Sequence, residues 1–285
     1  MVLNMVQRWV LDNGLKLNIS KTKYMIFTNK RKEDININIG GVRIKQSDQE
    51  RFLGIIIDSK LNWTQHIKHL TTKVSRNAGI LYKLKGLVPN SALKMIFNSF
   101  VQSHLYYCST VWGLKSKNSL NALFAAQKKA IRATDNKFHN YFYDKNTGNI
   151  PAHTKDIYKR LNLLTLPNLI GKNCLCLMHK INMKIAPQKM LEMFAISSNQ
   201  RQRRQLEIFE LPKFRLKQTD NSLFNKGPRL YNISINEINQ NLPPEESRVQ
   251  NKFLNSFKSV ATKYILQLQN GGDTTWGLEN FILYK

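Results

Sequence analysis

"SKLNWTQHIKHLTTKVSRNAGILYKLKGLVP", Ser59 to Pro89, carries two patterns at once. Ile67, Leu70, Val74, Ala78, Leu81, Leu84 and Val88 step by threes and fours, the spacing of one apolar stripe on a helix. At ~100° per residue Lys68, Arg76 and Lys83 project to the opposite side, while Lys85 falls on the stripe near the helix end. Pro89-Asn90-Ser91 stops that helix and offers a cap to another. Leu93, Ile96, Phe97, Phe100, Val101, Leu105 and Cys108 make the second helix apolar over a wide arc, which predicts burial.

Upstream the pattern changes period. A helix is expected to end at Asn13-Gly14, and Thr22 to Phe27 alternates as a strand. "DINININIGGVRI", from Asp34, alternates into Gly40-Gly41 and resumes at Val42 and Ile44, a hairpin by its turn chemistry. "RFLGIIID", Arg51 to Asp58, reads as one further strand whose Gly54 leaves room for a close approach. Asp58 suits the strand-to-helix turn before "LNW". Downstream, helices are expected around Lys155–Leu164, Asn168–Met183 and Glu246–Leu268, after a linker "DKNTGNIPAH". The fold class is therefore α+β and mostly α-helical: a small antiparallel β-sheet, then helices to the end. Three parts are expected, at 1–60, 61–135 and 136–285.

Charge points to a partner. The chain carries 44 Lys and Arg against 18 Asp and Glu, a net +26. With 42% hydrophobic residues it has the composition of folded material. A surplus of that size repels itself unless a polyanion neutralises it, and nucleic acid leads an anionic membrane surface as that polyanion. The surplus is concentrated: from Ser59 to Thr134 there are twelve Lys and Arg and no Asp or Glu. A face built for solubility would mix signs. No apolar run reaches the roughly 18 residues of a membrane span, and the N-terminus lacks a signal-peptide core. Three cysteines, an odd number, argue for a reducing compartment, so an intracellular protein of nucleus or cytoplasm is expected.

Several spaced motifs in one order carry a resemblance. "W…NGLKLNISKTKYMIF", "RFLGIIIDSKLNWTQHI" and "LYKLKGLVP…SFVQSHLYYCSTVWG" resemble the end of the palm and the thumb of reverse transcriptases from non-LTR retrotransposons of the jockey-like, LINE-type group. "FELPKFRLKQTDNSLFNKGPRLYN" through "FLNSFKSVATKYIL" resembles the segment that closes many of those reading frames. The resemblance implies that Lys21, in "NISKTK", stands where the palm holds a proton donor for departing pyrophosphate, a role that a mobile ammonium suits. It implies that Phe52, Leu53 and Gly54 form the hairpin gripping a primer's 3′ end. It also implies that the helices from about Leu61 to Tyr107, with Lys68, Lys73, Arg76 and Lys83, lie along the backbone of an RNA or DNA duplex or hybrid.

The chemistry of that family needs two divalent metals, Mg, clamped by carboxylates. The resemblance places their ligands, one set in a Tyr-Ala-Asp-Asp box, before Trp9, and no such box occurs in the sequence. The adjacent acid pairs are Glu33-Asp34 and Glu245-Glu246, which read as surface or capping residues. No metal or other cofactor and no small-molecule ligand is therefore expected on this chain, and alone it is not expected to polymerise. Cys174, Cys176 and His179 suggest zinc by composition, yet on a helix the two cysteines point to nearly opposite sides. His66 and His69 share a helical face and read as surface residues or a cap. "RQRR", Arg201 to Arg204, reads as phosphate contact or solvated loop. Three functions stay open: a truncated reverse transcriptase binding nucleic acid through its basic helices, the C-terminal part of an active RNA-directed DNA polymerase, or a co-opted interaction protein.

Overall fold

The computed structural model describes residues 2–28, 35–115, 117–137, 141–144, 148–151, 154–196, 208–211, 221–242 and 250–270. Two compact units divide it at His66-Ile67. Glu33-Asp34, Arg201–Arg204 and Glu245-Glu246 lie outside the described residues.

In the first unit α1 (Val2–Asp12) ends where the sequence predicts. Gly14 takes φ +67, its N–H donates to Leu11 O, and the N–H of Leu15 donates to Val10 O. This pair of bonds is a Schellman closure, and a left-handed residue is what glycine supplies without strain. A 3₁₀ turn, Ile19–Lys21, precedes β1 (Lys23–Tyr24), so the expected strand from Thr22 is reduced to two paired residues. β1 pairs in parallel with β4 (Lys45–Gln46), and the Lys23 ammonium forms an ion pair with Glu50. β2 (Asn38–Ile39) and β3 (Val42–Arg43) form the expected hairpin. Gly40 and Gly41 both hold positive φ, +56 and +76, which matches the two-residue turn that follows strand twist.

The run Arg51–Asp58 is not one strand. β5 (Gln49–Phe52) and β6 (Ile55–Asp58) are antiparallel, paired from Gln49–Asp58 to Phe52–Ile55. Leu53 and Gly54 make the turn at φ +45 and +85. Continuous apolar residues hid the reversal, because a turn needs backbone freedom rather than polarity and Gly54 supplies it. Among the described residues the β region of this unit is thus a set of two-stranded ladders, two antiparallel and one parallel, rather than one sheet.

The second unit is helical. α2 (Thr64–Leu84) begins in the first unit and continues into the second. α3 (Asn90–Phe97) follows, with Pro89 at its N-cap and no side-chain cap bond, contrary to the capping expectation. The Asn90 side chain instead accepts from the Asn136 N–H at 2.9 Å and donates to Asp135. A π segment, Asn98–Gln102, leads into α4 (Ser103–Tyr106). Leu93, Phe97, Val101 and Leu105 are fully buried at steps of four. A wider π turn holds residues four apart closer to one line than an α turn does, so the buried face is a seam. Phe100, expected inside, is 52% exposed.

Cys108, at φ +49, turns the chain into α5 (Ser109–Trp112). Trp112 is fully buried and its indole N–H donates to Tyr107 O. A Cβ on Gly113 would meet Ile170 at 2.9 Å and Ser109 O at 2.5 Å, so close packing at that point requires glycine. α6 (Lys117–Ala133) comes next. Then β7 (Tyr141–Asp144) and β8 (Gly148–Pro151) pair antiparallel, β8 lying within the stretch Asp144 to His153 expected to be a linker. α7 (Lys155–Leu161) ends at a left-handed Asn162.

α8 (Leu166–Asn182) is the centre of the unit and is buried on nearly every side. Against it pack α10 (Leu223–Gln240), which the periodicity did not predict, and α11 (Gln250–Asn270). A short α9 (Gln188–Leu191) lies between α8 and α10 in the chain. Two glutamines close the start of α8. Gln127 Oε1 accepts from the Leu166 N–H and the Tyr158 hydroxyl, and Gln269 Oε1 accepts from the Thr165 N–H and the Asn168 amide.

Candidate nucleic-acid interface

α2 is built for two environments. Ile67, Leu70, Val74, Ala78 and Leu81 are buried, the last three fully. Lys68, Arg76 and Lys83 are exposed and Lys73 is half-buried. At ~100° per residue Lys68, Lys83, Arg76, His69 and Lys73 share an arc of about 140°, and Lys68 and Lys83 stand about 22 Å apart along the axis. No acid interrupts the face, since none occurs between Ser59 and Thr134. Further cations of the acid-free stretch take other settings. Lys128 sits 4.3 Å from the centre of the Phe124 ring, and Lys129 is exposed. Burial pushes the Lys85 ammonium down from its ordinary value while Asp135 opposes the shift, and Lys85 donates to Arg132 O at the end of α6.

In the first unit Phe52 and Leu53 are 62% and 74% exposed at the tip of the β5–β6 hairpin, and Gly54 completes its turn. Lys21 is exposed on the 3₁₀ turn, where its backbone N–H donates to Asn18 Oδ1. Asp58, the strand-end acid, is committed to the backbone. Its carboxylate accepts from the N–H groups of Lys60, Asn62 and Trp63 at 3.1, 3.0 and 2.8 Å, which holds Leu61 and Trp63 at positive φ. His66, expected at the surface, is 2% exposed and its Nδ1 accepts from the Ile56 N–H. Packing rather than helical face decided that placement.

Among the described residues no group of three or more His, Cys, Asp or Glu converges. A two-metal centre needs convergent carboxylates to hold both ions, and the described residues do not supply that donor set. Cys174 and Cys176 are buried, and burial pushes the Cys174 thiol up to about 12. His179 stacks on Phe257 with ring centres 3.6 Å apart and its Nδ1 lies 2.9 Å from the Tyr231 hydroxyl. His179 thus joins α8 to α10 and α11. Among the described residues no helix is long and apolar enough to cross a membrane.

The C-terminal motif closes on itself. Asn232 Nδ2 donates to Phe209 O at 2.8 Å, and the Phe209 N–H donates to Asn232 Oδ1 at 3.0 Å. The two ends of "FELPKFRLKQTDNSLFNKGPRLYN" thus meet as a buried pair.

Comparison with known proteins finds relatives in the group that the motifs resemble. The chain is 25% identical over 134 residues to the RNA-directed DNA polymerase of the mobile element jockey from Drosophila funebris, and 28% identical over 132 residues to a probable RNA-directed DNA polymerase of transposon BS from Drosophila melanogaster. The chain is related to the reverse transcriptases of non-LTR retrotransposons. The aligned part is 46% and 45% of this chain, and it spans 14% of either relative. A probable polymerase of the X-element from Drosophila melanogaster is 24% identical over 128 residues. No family model matches the chain, and no solved structure matches it.

Proposed function

We propose that this reverse-transcriptase-related chain binds the sugar-phosphate backbone of an RNA or DNA duplex or hybrid, without reading sequence, through the basic face of α2. In the family's terms α2 to α4 act as a thumb, and the chain by itself does not polymerise. The observation that carries this reading is an acid-free cationic arc on a helix whose other side is locked into a core. Such a face has phosphate neutralisation as its most favourable use. Phe52 and Leu53, exposed at a hairpin tip, supply a contact for a strand end.

The test is binding of a labelled 20-base-pair RNA–DNA hybrid across a salt series. Log K is expected to fall linearly with log salt, by about 0.9 per phosphate contact on duplex. A variant with Lys68, Lys73, Arg76 and Lys83 all changed to Gln loses up to about 3.6 of that slope. Absence of binding to hybrid and duplex at low salt ends the proposal. A protein partner whose affinity ignores salt would instead favour an interaction protein.

A second reading, favoured by the 14% coverage of the relatives, makes this the C-terminal part of a longer RNA-directed DNA polymerase. There Lys21 would serve as proton donor to the leaving phosphate, and carboxylates beyond those described would hold the metals. An in-frame Tyr-Ala-Asp-Asp box encoded upstream of Met1 supports it; a frame without one removes it.

A further inference from the structure

α2 and the α3–π–α4 run are joined by a short turn and pack side by side, antiparallel. The Asn77 amide donates to Phe100 O in the π segment, which fixes their register. One helical turn back on α2 is Lys73, and one turn further is His69. One turn on from Phe100 is His104, on α4. The register therefore sets His104 opposite Lys73, with His69 beyond, and all three side chains are half-buried. Their seam borders the same arc that holds Lys68 and Arg76.

The charged groups acting on His104 are Lys73 and His69, both from α2. On the opposite side of α4, α8 turns Asn173 and Cys176 toward Tyr106, not toward His104. Burial first, then Lys73 and His69, holds the His104 imidazole below its ordinary value. A cationic, partly desolvated seam of this kind favours an anion, and a bound anion favours the imidazolium.

We propose that His69, Lys73 and His104 form a phosphate site across the α2–α4 seam, and that proton uptake by His104 tightens this face on a nucleic-acid backbone. The proposal rests on the backbone-binding reading above. By linkage, whatever raises the affinity of His104 for a proton is strengthened when the proton is present. Lowering pH then adds one charge-assisted bond to phosphate.

The experiment measures the affinity of the full chain for the 20-base-pair RNA–DNA hybrid between pH 8.0 and 5.5 at fixed ionic strength, with wild type, His104→Gln and Lys73→Gln. Wild type is expected to gain about three- to tenfold more affinity than His104→Gln over that range. Its salt slope steepens by about 0.9 more as well. Lys73→Gln, lacking the repelling neighbour, gains its extra affinity at a higher pH. A companion titration of the His104 ring proton by NMR should show its midpoint rise when hybrid is added, an effect that a purely structural histidine would not give. Equal pH dependence in wild type and a folded His104→Gln overturns this site while leaving backbone binding intact. Failure of wild type to bind hybrid at any pH removes both.

Discussion

α2 and α8 are both long helices, and they place most of their polar residues differently. α2 keeps Lys68, Arg76 and Lys83 exposed on one arc, and on its other side buries an apolar stripe with only His66 and Asn77 bonded beside it. α8 buries Asn168, Asn173 and His179 along with its apolar residues, and gives each a partner. A polar side chain left in water adds little to stability and stays available to a ligand, whereas a buried one must be bonded and so fixes its neighbours. By that contrast α8 is architecture, while α2 offers an exposed cationic surface.

The largest way to break it is a charge in the wrong helix. Leu175→Asp, at a fully buried position of α8, should destabilise the second unit by more than about 4 kcal/mol, read as loss of cooperative urea unfolding; a mild effect would mean α8 is not the core. Cysteine chemistry probes the same burial. With its thiol pushed up to about 12, Cys174 should be alkylated at pH 8 roughly 10³-fold more slowly in the folded chain than in urea, as mass-resolved labelling would show.

Smaller effects sharpen the contrast. Gln127→Ala leaves the Leu166 N–H, the Leu164 carbonyl and the Tyr158 hydroxyl without that partner, and should lower stability by about 2–3 kcal/mol. Asp135→Asn tests the joint between α3, α6 and α7. Burial pushes the Asp135 carboxyl up, but Arg160, the Lys137 N–H and Asn90 outweigh it and leave the group below its ordinary value. A depressed carboxyl contributes stability above its unfolded value that is lost as pH falls through the folded one. The variant should therefore be weaker by about 1–2 kcal/mol at pH 7, with the gap closing in acid below about pH 4. At the small end, Lys68→Gln, Arg76→Gln and Lys83→Gln should each move stability by less than about 0.5 kcal/mol while removing about 0.9 of salt slope from hybrid binding. A stability loss equal to that of Gln127→Ala would assign those cations to architecture.

Much of the fold is legible in the sequence. The α2 stripe, the Gly14 helix end, the Gly40-Gly41 turn and the Asp58 turn follow from spacing and from residues with special backbone tolerance. The Leu53-Gly54 reversal follows from the resemblance, which implies a hairpin at Phe52 to Gly54, and not from periodicity, because Phe52 to Ile57 is apolar without a break; the β7–β8 pairing gives no periodic signal because "DKNTGNIP" has loop composition. α10 was missed because Gly227 and Pro228 lie inside it. A Cβ at Gly227 would come 2.8 Å from Met178 Sδ, so a larger residue there would force Met178 to shift. His66 was placed at the surface because helical phase cannot report what the preceding hairpin covers.

By itself the sequence determined the charge, its confinement to an acid-free stretch, the helical period beneath it and the kinship with reverse transcriptases, all properties read from residues near one another in the chain. Only the tertiary structure decided which histidines are buried, that Phe209 meets Asn232, and that His104 lies near Lys73. Those outcomes depend on which distant elements share a seam, and local periodicity carries no information about that choice.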